Sequence, residues 1–153
     1  ARLNRRAIAD DICKSLKFAE LESFSTIHNY IDAENKILRK GAISAQNGER
    51  MIIPLNMRDG CLICKGSGNA EWNYSAPHGA GRAYNRADTV NSFTLSQYKK
   101  EMNGIFSTSV SRDTLDECPM AYKNSQTIID LIAPTAEIIA RLTPIYNYKS
   151  GAR

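Results

Sequence analysis

Apolar residues at Leu3, Ala7, Ile8, Ile12 and Leu16 recur at helical spacing, which predicts an amphipathic helix over residues 2–17 with its charges on the outer face. From residue 24 to residue 44 the period shortens. Phe24, Ile27, Tyr30, Ile31, Ile37, Leu38 and Ile43 stand in short apolar or β-branched runs, the pattern of strands. Asn47-Gly48 is a turn leading into a strand at Met51–Ile53, and Arg58-Asp59-Gly60 is a second turn before a strand at Cys61–Cys64. Residues 65–76, punctuated by glycine, read as a loop. A helix near 94–103 starts from a Thr94 or Ser92 cap, and another starts at Ser125 and stops before Pro134. Ile138, Ala140 and Leu142 then alternate with Ile139, Arg141 and Thr143 as a strand would. The sum is a mixed α/β (α+β) chain without internal repeats. Gly66-Ser67-Gly68 alone does not make a dinucleotide-binding fingerprint.

Composition narrows the class. The 153 residues suit one domain, 1–153, with a real core, and 42% hydrophobic with 24% charged residues is the balance of a soluble globular protein. No apolar run reaches membrane-spanning length, and no signal-peptide core opens the chain. A net charge of +4 permits a polyanionic partner without demanding one. Cys13, Cys61, Cys64 and Cys118 lack disulfide-framework spacing, which predicts a reduced, cytoplasmic setting. Cys61 and Cys64 fall three apart in a strand, so their thiols point to opposite faces and do not converge on zinc. All these thiols are expected to be buried. The chain opens at Ala1 directly into a helix whose apolar face needs a cover, which predicts either processing or a longer parent polypeptide.

Chemistry concentrates in Ala76-Pro77-His78-Gly79-Ala80-Gly81-Arg82, which holds one of only two histidines. Imidazole is a competent nucleophile toward phosphorus near neutral pH. The flanking small residues let a phosphate approach the backbone, and Arg82 offers a charged planar fork. The same residues also make an ordinary turn, so the segment by itself leaves both readings open.

Several blocks accompany it in order: Ser25-Thr26-Ile27-His28-Asn29-Tyr30, Leu38-Arg39-Lys40-Gly41-Ala42-Ile43-Ser44, Ile52-Ile53-Pro54-Leu55-Asn56-Met57-Arg58-Asp59-Gly60, Asn73-Tyr74-Ser75, Asp116-Glu117-Cys118-Pro119-Met120-Ala121-Tyr122-Lys123 and Pro144-Ile145-Tyr146-Asn147-Tyr148-Lys149. From about residue 20 onward the chain resembles the C-terminal portion of the RtcB-type RNA-splicing ligases. The resemblance implies that family's fold, with mixed β-sheets and flanking helices. It also implies a GTP- and manganese-dependent joining of RNA 3′-phosphate or 2′,3′-cyclic phosphate ends to 5′-hydroxyl ends in tRNA splicing or RNA repair.

Residue roles follow from the same resemblance. His78 matches the histidine that takes GMP from GTP. His28 matches a manganese ligand, although by itself it reads more readily as a half-buried structural histidine satisfied by a backbone carbonyl. The remaining ligands of that family site, an aspartate, a cysteine and further histidines, lie in an N-terminal portion outside this sequence, supplied in cis or in trans. The segment alone is therefore expected to be inactive. Tyr122 and Lys149 match residues that hold guanine, with Cys61 where a serine is expected and Gly79, Ala80 and Gly81 beside the nucleotide. Arg82 and Arg86, four apart on one face if helical, and the pair Arg39 and Lys40 are expected to grip RNA phosphates. A different class of function, a non-catalytic RNA- or nucleotide-binding module without a complete metal site, fits the missing ligands.

Overall fold

The computed structural model describes residues 2–150. Its first helix, α1 (Arg2–Leu16), follows the predicted boundaries, and Lys14 sits in its last turn, where a cation suits the helix dipole. Arg6 pairs with Asp10 one turn on and with Glu20 beyond the helix end. Ile8, Ile12 and Leu16 all remain more than half exposed, so the apolar stripe has no cover among the described residues.

Two three-stranded antiparallel sheets carry the molecule. The first combines β1 (His28–Asp32), β2 (Ile37–Ser44) and β5 (Ser75–Pro77) in the order β1-β2-β5. Residues 24–27, expected as strand, lie outside it; Thr26 instead accepts a hydrogen bond through its hydroxyl from Ile52 N at 3.0 Å. The second sheet combines β3 (Arg50–Asn56), β4 (Gly60–Gly66) and β7 (Ala136–Leu142) in the order β3-β4-β7. Asn56 closes the β3–β4 turn by accepting from Arg58 N at 3.0 Å and Asp59 N at 2.9 Å. Alternation along these strands sends Ile43, Met51, Ile53, Leu55, Leu62 and Cys64 into one core. Ile128 and Ile132, from α4 (Ser125–Leu131) and its C-cap, close that core.

Gly60 shows how tightly β4 and β7 meet. Its φ of +77° lies in the left-handed region, and a Cβ there would fall 1.9 Å from the Leu142 carbonyl oxygen. The left-handed conformation alone costs a non-glycine residue roughly 1–2 kcal/mol. Gly60→Ala is therefore expected to lower unfolding stability by at least about 2 kcal/mol in urea denaturation, because the strand end must also move.

A second core gathers Met57, Tyr98, Met102, Leu115, Cys118 and Ala121. Tyr98 comes from α3 (Leu95–Glu101), which starts from Thr94 with Gln97 completing a capping box, as the sequence predicts. Before it runs α2 (Arg86–Ser92), which no apolar period announces, since Val90 is its one large apolar residue. Its signal is the cap alone: Asn85 accepts from Asp88 N. Short strands β6 (Phe106–Ser107) and β8 (Tyr146–Asn147) pair in parallel and fasten the C-terminal segment to this half. Among the described residues no helix is long and apolar enough to cross a membrane.

Candidate active site

Strand β5 delivers His78 to the edge of β2. Pro77 pairs with Ala42, and the His78 ring comes to rest on Gly41, with Nδ1 2.7 Å from the Gly41 carbonyl oxygen. A carbonyl can only accept, so Nδ1 carries the hydrogen. In the neutral ring Nε2 then keeps its lone pair. His28, from β1, lies parallel to the same ring with centroids 5.0 Å apart and planes 9° apart. It is exposed rather than half-buried.

His78 opens onto a cleft of about 700 Å³, within the size range of small-molecule sites. One side is formed by Pro54, Asn56 and Met57 with Cys61 of β4; another by Gly79 to Arg82; and the far side by Glu117, Tyr122, Asn147 and Lys149. The far side is stitched to the histidine loop by Ala83 N donating to Ala121 O at 2.8 Å and Lys123 N donating to Gly81 O at 3.1 Å. Asn147 donates to Met57 O at 2.7 Å and Lys149 N to Ser109 Oγ at 2.8 Å, which seats the C-terminal segment in the wall.

Glu117 is the hub of that wall. Its Oε2 accepts from the Tyr122 hydroxyl at 2.7 Å and from Lys149 Nζ at 3.3 Å, while Oε1 faces Arg86 at 2.6 Å and Arg82 at 3.5 Å. Burial opposes its charge, but the Tyr122 hydrogen bond and the Lys149 charge outweigh it and hold the carboxyl below its ordinary pKa. Burial, and then the facing Glu117, push the Tyr122 phenol up to about 12. A carboxylate with a depressed folded-state pKa contributes stability that is complete above its unfolded value and is lost as pH falls through the folded value. The wall is thus expected to persist through the ordinary glutamate range near about 4.3 and to open only below it. Glu117→Gln should remove that acid dependence; stability measured across acid pH for both proteins checks it.

The structure brings His78, Gly79, Ala80, Gly81, Arg82, Arg86, Cys61, Tyr122 and Lys149 to one cleft, with His28 against His78. Four expectations change. Arg39 is 2% exposed and is spent inside the first sheet, donating to Ser75 Oγ, the Tyr30 hydroxyl, Asp32 and Tyr74 O, so it does not reach an anionic cleft. Lys40, next along the strand, points the other way and is exposed, outside the cleft lining. Arg82 and Arg86 do not share a helix, because α2 begins at Arg86; they meet through Glu117 instead. Arg82 has already committed Nε to Tyr84 O and Nη2 to Thr89 and Asp116 O, and its guanidinium covers the Tyr122 ring, leaving Nη1 without a hydrogen-bond partner.

Smaller corrections concern the loop and the thiols. Ala80 N is taken by Pro54 O at 3.0 Å and is not available to a phosphate. Cys61 and Cys13 are half-buried, whereas Cys64 and Cys118 are buried as expected. Burial pushes the Cys61 thiol up and Cys64 to about 11, so neither is a thiolate near neutral pH. Sequence reasoning missed Glu117 as a site residue, although it falls inside a motif block. The one available signal was a carboxylate lying among basic and aromatic residues that all match binding positions.

Among the described residues no group of three or more His, Cys, Asp or Glu side chains can hold a metal ion. A divalent cation wants three or more such ligands. His28 and His78 therefore do not complete a manganese site by themselves.

A family model described as tRNA-splicing ligase RtcB matches residues 1–150. The RNA-splicing ligase RtcB of Escherichia coli K12 is 28% identical over 166 aligned positions, which take in 97% of this chain and 40% of the relative. RNA-splicing ligase RtcB2 of another Escherichia coli strain is 29% identical over 166 positions, 99% of this chain and 43% of that protein. The tRNA-splicing ligase RtcB of Aeropyrum pernix is 34% identical over 109 positions, 64% of this chain and 22% of its own length. The chain spans less than half the length of these curated relatives and matches their C-terminal part.

Proposed function

The chain belongs to the RtcB family, and from that premise we propose that it works in a GTP- and manganese-dependent RNA ligase acting in tRNA splicing or RNA repair. The observation that carries the reading is the tautomer lock on His78, with Nδ1–H held by Gly41 O and the ring at a cleft whose far wall bears Tyr122 and Lys149. His78 Nε2 attacks the α-phosphorus of GTP, the bond to the β-phosphate oxygen breaks, and pyrophosphate leaves. The resulting phosphoramidate keeps the energy of the broken anhydride. GMP then passes to an RNA 3′-phosphate, freeing His78. A 5′-hydroxyl attacks that activated phosphate, forms the new phosphodiester and expels GMP. Ends with a 2′,3′-cyclic phosphate are first opened to the 3′-phosphate.

The chain's own residues divide this work. Tyr122 and Lys149 hold the guanine, with Glu117 fixing both. Cys61 stands where a hydroxyl would be the better hydrogen-bonding partner, which weakens guanine contacts. Gly79 and Gly81 allow close phosphate approach. Arg86, largely exposed although paired with Asp116 and Glu117, is the cation left to meet the phosphates, whereas Arg82 Nη1 is buried beside Glu117 and serves the wall; Lys40 adds charge outside the cleft. Manganese, when bound, neutralises charge on the transferring phosphoryl groups. His28 is the imidazole this chain contributes to it, and the other ligands come from outside these 153 residues.

Intact mass after incubation with GTP and manganese tests the reading. The 153-residue chain alone is expected to stay unmodified, and to gain one GMP when the remaining ligands are supplied in cis or in trans. His28→Ala in that complete setting should lower bound manganese and block the adduct with little loss of stability. No adduct in the complete setting would leave a nucleotide-binding module that does not react.

A further inference from the structure

We propose that Asn29 is a positioning residue that fixes the His78 ring through Gly41. The proposal concerns the ring's orientation and tautomer; only its kinetic consequence rests on His78 being the GMP acceptor.

Asn29 sits at φ 55°, in the left-handed region, opposite a bulge of β2: between the pairs His28–Ile43 and Tyr30–Arg39, β1 advances by two residues and β2 by four. A non-glycine residue there is uncommon, and asparagine tolerates it best. Such backbone strain persists only where the surroundings over-determine it. The surroundings here are specific. Asn29 Oδ1 accepts from Gly41 N at 2.6 Å, and the carbonyl of that same glycine lies 2.7 Å from His78 Nδ1. That carbonyl also accepts from His78 N at 3.4 Å. Gly41 is itself left-handed, at φ +67°, and a Cβ on it would sit 3.7 Å from His78 Nδ1. The segment holding the nucleophile's ring is thus a glycine pinned by one side chain from the neighbouring strand.

The bulge does a second thing. Extra residues in one strand bend it and re-aim the side chains beside them, and here they lie on β2 around Gly41. His28, immediately before Asn29, faces the His78 ring in a parallel stack. The stretch that carries the Gly41 acceptor of Nδ1 is thus the bulged one, and Asn29 is the β1 side chain that pins it.

Without the Oδ1 acceptor, the exposed Gly41 N–H turns to water and the Gly41 carbonyl is no longer held under Nδ1. The His78 hydrogen can then move to Nε2, which removes the lone pair from the nucleophilic nitrogen. Asn29→Gly keeps the left-handed backbone and deletes the acceptor. Asn29→Asp keeps an acceptor oxygen and a side chain that tolerates this backbone.

The chain has only two histidines, so imidazole 15N signals of the uniformly labelled protein separate cleanly. The wild type and Asn29→Asp should show His78 as one tautomer, hydrogen on Nδ1, and Asn29→Gly a mixture, with the amide spectrum still that of a folded chain. In the complete ligase setting, Asn29→Gly should slow adduct formation at saturating GTP about tenfold, as loss of a ring-orienting partner commonly does. KM for GTP should stay within about twofold, and Asn29→Asp should restore most of the rate. An unchanged His78 ring spectrum in Asn29→Gly would overturn the proposal, as would Asn29→Asp behaving like Asn29→Gly. If the wild type itself forms no adduct, the GMP-acceptor reading fails while the ring spectra still decide the role of Asn29.

Discussion

Replacing His78 by alanine is expected to abolish the covalent GMP adduct while the chain keeps its fold. The chemical half rests on the ring nitrogen that the phosphoramidate bond needs; the other imidazole at hand, His28 stacked on the same ring, is the one proposed to bind manganese. Cys61 is a protonated thiol at neutral pH, Lys149 is tied to Glu117, and the hydroxyl of Tyr122 donates to the same carboxylate. The structural half follows from what the ring touches. It gives up a hydrogen bond to Gly41 O and a stack on an exposed histidine. A single such hydrogen bond is worth about 0.5–1.5 kcal/mol net. Peptide mapping after GTP treatment of the complete ligase, beside a melting curve of each protein, makes the check. GMP found on Lys40, Lys149 or any other residue would refute the assignment.

The second large effect is on stability. Arg39→Met should cost about 3–5 kcal/mol, the scale for removing one member of a buried charged network. The guanidinium is fully buried on the middle strand β2, and its donors serve Tyr30 and Asp32 of β1, Ser75 of β5 and the Tyr74 carbonyl. Methionine fills much of the volume and leaves those acceptors with nothing to accept from. Since β1 carries His28 and β5 runs into His78, loosening this tie should also spread the histidine pair. Urea denaturation reads the stability loss as a lower midpoint at an unchanged slope. A loss under about 1 kcal/mol together with weakened RNA binding would instead restore the phosphate-contact reading of Arg39.

These two residues mark where sequence ends and tertiary structure begins. Arg39 and Lys40 look alike in the sequence, a basic pair beside a glycine that resembles part of an anion-binding cleft. Strand alternation guarantees that they face opposite ways. Which one is buried depends on which face of the sheet the rest of the chain covers, and no local pattern contains that. Cys61 and Cys64 repeat the lesson. Their opposition was predicted from spacing, but only the packing of β4 against β3 and β7 decided that Cys64 enters the core and Cys61 the cleft.

Sequence by itself determined what short-range physics controls. The α1 periodicity, the Thr94 cap, the turn at Arg58-Asp59-Gly60, the strand β7 and the small-residue loop around His78 each depend on neighbours within a few positions, and each stands where it was expected. The motif blocks likewise named most residues of the cleft, because a reacting group has to be of one chemical kind wherever it lies. Tertiary structure decided the rest: the convergence of Arg82, Arg86, Tyr122 and Lys149 on Glu117, the seating of the C-terminal segment by Asn147, and the link from Asn29 through Gly41 to His78. Those contacts join residues from separate stretches of the chain. Their geometry is fixed by sheet register, a bulge and the closing of two cores, which are properties of the whole packing rather than of any window of sequence.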